Sequence, residues 1–193
     1  MKLYLIRHGE SVNNLEMRHS GHSLTPLTEK GITDAKKAGK LLNGINFDKV
    51  FSSDLPRASA TCEYALPGAE YEKLKLIREV NVGTLSDRLV SECTEQYGEE
   101  YKKLRATCDF TRWNGENFEM TCARAKKFLT MLEGCDYENV AAFSHGTFIE
   151  YILCTVLGYD AARNAILYNG GICVFEYKDA KWSLIRWNYT GEI

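Results

Sequence analysis

Leu3-Tyr4-Leu5-Ile6-Arg7-His8-Gly9-Glu10-Ser11 opens the chain with an apolar run that stops at a guanidinium, an imidazole and a glycine. A continuous run of this kind reads as a buried strand, and the polar cluster then sits at its carboxyl end. In open α/β sheets ligands bind beyond that end. Three residues are weak evidence by themselves, so the reading depends on what the rest of the chain brings to the same place.

Outward from this strand, residues 12–27 are polar and irregular, broken by Gly21 and Pro26. Thr28 is placed to cap a helix with Ile32, Ala35, Gly39 and Leu42 at helical spacing, ended by Gly44. Asp48 to Ser53 reads as a second strand, followed by Asp54 as an N-cap and Pro56 in the first turn of a helix to Ala65. Glu70 to Val80 is expected as a third strand ending near Arg78-Glu79. Residues 90–108 and 117–133 carry helical stripes, the first despite Gly98, joined by a loop containing Trp113, which could be packing or a substrate contact. Asn139 to Ser144 is a fourth strand that also runs into His-Gly, and the helix after it closes at Gly158. Ile172–Tyr177 and Trp182–Trp187 form a hairpin. Strands alternating with helices imply a three-layer α/β/α sandwich with a mainly parallel sheet. The absence of repeats or linkers points to a single domain over residues 1–193.

Bulk properties narrow the function. A net charge of −2 gives no reason to expect nucleic acid or an anionic membrane as partner. No apolar run approaches the roughly 18 residues of a membrane span, and no signal peptide is evident, so a cytoplasmic location is the expectation. Seven scattered cysteines with no Cys-x-x-Cys argue against disulfides and zinc, and most are expected to be small buried apolar residues. No metal and no cofactor are expected.

At the carboxyl ends of the four expected strands stand Arg7 and His8, then Arg57 by way of Ser53-Asp54, then Glu79, then His145. Parallel strands would bring all five to one edge, as an anion pocket with acid/base capacity. In this order the motifs resemble the histidine phosphatase superfamily, with its phosphoglycerate-mutase-like fold. Arg7-His8-Gly9-Glu10-Ser11 with Asn14, Ser20-Gly21 and Pro26-Leu27-Thr28-x-x-Gly31 match its first block, and Ser52-Ser53-Asp54-Leu55-x-Arg57-Ala58-x-x-Thr61 its second. Arg78-Glu79 matches the acid position, Gly115-Glu116-Asn117-Phe118 resembles a Gly-Glu-Ser block of the phosphatase branch, and Ser144-His145-Gly146 matches the second histidine.

The resemblance implies a phosphomonoesterase in which His8 attacks phosphorus to give phosphohistidine. Glu79 would be the general acid and base, which asks for a raised pKa. Arg7, Arg57 and a protonated His145 would neutralise the phosphoryl oxygens. Asn14 and the Gly146 amide would add hydrogen bonds, and Ser20, Gly21 and His22 lie where the family's first loop meets substrate. His19 reads as an exposed loop residue. The sequence departs from its relatives after Glu79: Gly83 survives, but Thr84-Leu85-Ser86 replaces Trp-Glu-Gly. Only 66 positions separate Glu79 from His145, and the lid, roughly residues 80–119, is shorter than in the cofactor-dependent mutases. A short lid admits water, so the expected function is a metal-independent phosphatase for a small phosphorylated metabolite. A phosphoglycerate mutase-type phosphotransferase and a non-catalytic phospho-ligand module are the alternatives. The hairpin edge offers a homodimer contact.

Overall fold

β1 (Lys2–Arg7) lies between β4 (Asn139–Ser144), to which it is parallel, and β5 (Ile172–Lys178), to which it is antiparallel. The structure, a computed structural model, describes residues 1–162 and 164–191. With β2 (Lys49–Ser52), β3 (Glu72–Lys73) and β6 (Lys181–Tyr189), the described strands form one six-stranded sheet in the order β3-β2-β4-β1-β5-β6. The first four strands of this order run parallel, and β5–β6 form the antiparallel hairpin. Its turn is Asp179-Ala180, both at positive φ (51° and 57°), the geometry of a two-residue hairpin turn whose twist matches its strands.

Alternation along the strands divides the core in two. Leu3, Leu5, Phe51, Val140, Ala142, Cys173 and Phe175 face α5 (Phe118–Glu133) and α6 (Gly146–Leu157), which contribute Phe128, Leu132, Phe148 and Ile152. Ile6, Val50, Ala141, Phe143, Ile172 and Val174 face α2 (Glu29–Leu42) and α3 (Pro56–Ala65), through Ala38, Leu42, Cys62 and Ala65. Sequence neighbours thus serve opposite layers, which is why β1 and β4 are apolar without interruption. Two single-turn helices, α1 (Val12–Leu15) and α7 (Tyr159–Ala162), and the helix α4 (Val90–Ala106) complete the α/β/α sandwich.

Three expectations about elements and one about the burial of the cysteines are corrected. The third strand is two residues long, and Lys75–Ile77 then winds into a 3₁₀ turn. Ile77 and Val80 are the buried residues there, with Leu74 half-buried, a spacing of three rather than the two of a strand. Asp54 does not cap α3: Leu55 holds the cap position, and the Asp54 carboxylate takes both forks of Arg78 at 2.6 Å. The 90–108 stripe is two helical pieces meeting at Gly98, whose φ of 60° and ψ of −142° no helix accepts. Of the seven free cysteines, Cys62, Cys93 and Cys173 are buried and the other four half-buried. No helix among the described residues is long and apolar enough to cross a membrane.

Candidate active site

β1 ends at Arg7, and the chain turns at once beneath α2. A Cβ on Gly9 would stand 2.1 Å from the Gly31 carbonyl oxygen, and one on Gly31 would stand 2.0 Å from that of Glu10. Backbone packs on backbone here, so the spacing of these two glycines serves a close approach. The Gly9 amide donates to Thr61 Oγ1 at 3.0 Å, and α2 is capped by Thr28, whose Oγ1 accepts the Gly31 amide at 3.0 Å.

His8 is thereby fixed at both nitrogens. Nδ1 donates to the Gly9 carbonyl at 2.7 Å, which leaves the lone pair on Nε2, and Nε2 accepts from Arg57 Nε at 3.1 Å. Burial, then the charges of Arg57 and Arg7, hold the imidazole well below its ordinary pKa. The His145 ring lies 5.1 Å from that of His8, centroid to centroid. His145 precedes α6, is fully buried, and has neither ring nitrogen hydrogen-bonded within the protein. Its pKa is also well below the ordinary value, through burial first and then Arg57 and His8. The cationic form expected from the sequence is therefore not the form the protein groups favour by themselves; a dianion between the two rings would push the other way.

Arg57 is 0% exposed. Its Nη1 and Nη2 donate to the carbonyls of Ser23 (3.1 Å) and Gly21 (2.8 Å). Burial lowers its pKa to about 10, with Glu79 and Asp87 opposing and Arg7 assisting. Arg7 donates through Nη1 to the Leu167 carbonyl, while its Nε is buried without a partner. The Arg7 guanidinium lies against Gly146, where a Cβ would come within 3.2 Å of Nε.

Glu79 reaches the edge from the turn after Ile77. Its carboxylate accepts the amides of Val80 (2.9 Å), Phe148 (3.1 Å) and Thr147 (3.4 Å), so it sits across the first turn of α6. Its carbonyl accepts from His22 Nε2 at 2.9 Å and Arg124 Nη2 at 3.2 Å. Arg124 also holds the carbonyls of Leu76 and Arg78 and both oxygens of Glu116, whose Oε2 accepts the Asn81 amide. The Gly115-Glu116 block is thus a brace for the Glu79 turn.

Arg7 and Glu79 line a cleft of about 460 Å³ together with Asn14, Ser20, Gly21, Gly146 and Glu150, whereas His8, Arg57 and His145, at most 2% exposed, are buried rather than part of its wall. Asn14 spends its oxygen on Ser11 and Asn169, which leaves its amide nitrogen for a ligand. A larger, open depression near residues 43–50 and 65–72 holds no histidine or arginine. Among the described residues no group of three or more His, Cys, Asp or Glu could hold a metal ion.

Two expectations about single residues change. His19 is not an exposed loop residue: it is 8% exposed, its Nε2 meets Tyr101 Oη at 2.5 Å, and its pKa is lowered to about 4, chiefly by burial. Trp113 is packing, edge-on to Tyr97 and Tyr101. Asp87 and Asn169 went unnoticed in the sequence. Asp87 Oδ1 accepts from Asn13 Nδ2 (2.7 Å) and Ser23 Oγ (2.5 Å), pinning the loop that holds Arg57. Asn169 Nδ2 donates to the His8 carbonyl at 3.0 Å. No local pattern marks either one; each matters only through a partner distant in sequence.

The family model described as histidine phosphatase superfamily (branch 1) matches residues 3–190. The chain belongs to this superfamily. Among curated relatives of this histidine phosphatase, the adenosylcobalamin/alpha-ribazole phosphatase of Salmonella typhimurium strain LT2 is 34% identical over 171 residues, 84% of this chain and 82% of the relative. The crystal structure of the alpha-ribazole phosphatase from Shigella flexneri superposes with a TM-score of 0.88 at 26% identity, covering 98% of this chain and 97% of that one. The phosphoglycerate mutase of Bacillus anthracis shares the fold at a TM-score of 0.86 and 21% identity, over 99% of this chain and 94% of that one. The histidine phosphatase fold is thus the phosphoglycerate-mutase-like sandwich expected from the motifs.

Proposed function

We propose that the protein hydrolyses a small phosphomonoester through a phosphohistidine at His8. The observation that carries this reading is the state of His8. It is a neutral imidazole tied at Nδ1 to the Gly9 carbonyl, with its Nε2 lone pair aimed among Arg57, Arg7 and His145. A phosphoryl dianion repels ordinary nucleophiles, and a cationic, water-poor pocket removes that barrier.

In the first half-reaction the Nε2 lone pair forms the N–P bond as the ester P–O bond breaks. Arg57 Nε shifts its hydrogen bond from Nε2 to an incoming phosphoryl oxygen. Arg7 Nε, the Gly146 amide and the Asn14 amide nitrogen supply further donors, and His145 gains a proton as the dianion arrives. Glu79 gives a proton to the departing alkoxide. In the second half-reaction water attacks phosphorus, Glu79 takes its proton, the N–P bond breaks, and inorganic phosphate leaves. Ser20 and Gly21 form the loop side of the pocket, Gly21 by holding Arg57. The alpha-ribazole phosphatases among its relatives support a small phosphorylated metabolite as substrate. A cytoplasmic site of action and a second copy of this chain across the open β6 edge belong to the same reading. Nucleic acid and membrane do not.

Hydrolysis of an aryl phosphate in excess EDTA tests it. Wild type should keep its rate, and His8→Ala should lose at least about 10³-fold, as nucleophile removal does elsewhere. Activity abolished by EDTA, or surviving in His8→Ala, would sink the mechanism. An isomerised phosphate ester as main product would make the enzyme a mutase.

A further inference from the structure

One carboxylate in the cleft has no part in this chemistry. Glu150 lines the cleft with Arg7, Glu79, Gly146 and Thr147. It lies four residues after Gly146 on α6, hence on the same helical face and about 6 Å further along the axis. Gly146 lies against the Arg7 guanidinium. Glu150 is therefore one helical turn from the residue that touches Arg7 and on the same cleft wall, beside the place where the alcohol portion of a bound ester would lie.

The Glu150 carboxylate makes no hydrogen bond or ion pair with any described residue, in contrast to Glu79, whose oxygens are taken by three amides. Its acceptors are free for a ligand. Burial, with Glu79 adding to it and Arg7 opposing, pushes its carboxyl up to about 7. We propose that Glu150 is a specificity-determining residue that selects phosphate esters of hydroxylated, uncharged alcohols (polyol or sugar phosphates) over esters carrying a carboxylate beside the phosphate. This rests on the phosphatase reading and names its substrate class.

Hydroxyl groups on the carbons next to the ester can donate to Glu150, whereas a carboxylate there meets like charge in a partly desolvated site. Arg18, Lys102 and Arg105 also line the cleft; they disfavour an ammonium group and draw in anionic esters of either kind, so selection against a carboxylate falls to the group that meets Glu150 itself. Val80, Val82 and Phe110 provide apolar wall for a carbon skeleton.

Glycerol 3-phosphate and 3-phosphoglycerate make a matched pair of probes, differing by a hydroxymethyl in place of a carboxylate. Their kcat/KM values should be compared at about pH 8.5, where Glu150 is ionised, for wild type, Glu150→Gln and Glu150→Ala. Wild type should favour the glycerol ester by at least about tenfold, and both variants should bring the ratio near parity, chiefly by gaining on 3-phosphoglycerate. A purely structural role would move both substrates together, so a ratio unchanged in both variants overturns the proposal. Calorimetric binding of the same two esters to His8→Ala, with and without Glu150→Gln, separates it from the chemistry. If the binding ratio shifts while wild type hydrolyses neither these esters nor an aryl phosphate, Glu150 keeps its role and the phosphatase reading fails. Brisk hydrolysis with unmoved ratios has the opposite meaning.

Discussion

Asp87 shows how a residue far from phosphorus can govern it. Its φ of 67° lies in the left-handed region, which costs a non-glycine residue roughly 1 kcal/mol. The carboxylate compensates by holding Asn13 and Ser23, and the Ser23 carbonyl in turn holds Arg57, which bonds His8. Asp87→Gly relieves the backbone but takes the shortest partner from two buried donors, leaving Ser23 Oγ unmatched and Asn13 Nδ2 with only its longer contacts to the His19 carbonyl and Ser23 Oγ, a penalty of about 1–3 kcal/mol for such a group. The net expectation is a loss of about 1–2 kcal/mol in urea unfolding together with a roughly 10- to 100-fold fall in kcat. Asp87→Asn tolerates the same φ and keeps the acceptor, so it should recover most of the rate. If Asn and Gly are equally impaired, the hydrogen bonds are not what matters. None of this was legible in the sequence, because an aspartate after Leu85-Ser86 looks like any polar turn residue. Arg7, His8, Arg57 and His145 could be read in advance because each follows an apolar strand, directly or through a short turn, and the parallel sheet gathers strand ends without further information.

Secondary-structure elements obey the same rule: those covered on both faces are plain in the sequence, and the one that coils is not. The strands β1, β2 and β4 announce themselves through apolar runs that must be covered on both faces. The Glu70–Val80 segment alternates almost as well, yet its inward positions fall at Leu74, Ile77 and Val80, and the chain coils to bury them. The loss of Trp-Glu-Gly after Gly83 also has a physical reading: Leu85 fills the core there at 0% exposure, and Asp87 ties the turn down in place of a larger side chain. Gly83 itself survives because the lid requires it. Its φ is 58°, and a Cβ would stand 1.7 Å from the Trp113 carbonyl oxygen. Gly83→Ala should therefore displace the 83–85 turn from the 111–113 turn and cost more than about 2 kcal/mol, combining left-handed strain with overpacking. Hydrogen exchange should show lost protection in residues 80–116 before the central sheet is affected. Uniform loss across the protein would mean that lid and core unfold as one unit.

At the scale of the whole molecule, all four histidines of the chain have lowered pKa values, His8, His145 and His19 most strongly, His22 less enclosed than these. Burial is the leading cause for each, so folding is coupled to keeping imidazoles neutral. In the unfolded chain they bind protons near pH 6.5, while in the folded protein His19 resists until about 4 and His8 and His145 are also held well below 6.5. Between those limits the unfolded state holds more protons, and stability falls as pH falls. The imidazole contribution is therefore complete above pH 6.5 and is drained on the way to 4. Glu150 runs the other way: its carboxyl is raised to about 7, so acidification from there toward the unfolded value near 4.3 favours the folded state and offsets one histidine. Three uncompensated imidazoles leave a slope of at most about 4 kcal/mol per pH unit. Asp54, held down by Arg78, adds its own loss only below about 3.9. The urea midpoint should hold steady from pH 8 to about 7 and then drop steeply. His19 alone, lowered to about 4, accounts for roughly 3 kcal/mol of loss by pH 4, and His8 and His145 add to it. His19→Gln should flatten this slope, the change falling on the Tyr101 side of the cleft rather than at His8. A midpoint unchanged between pH 7.5 and 5 would mean that the buried histidines take up protons without unfolding, and that the cationic pocket already tolerates two more charges.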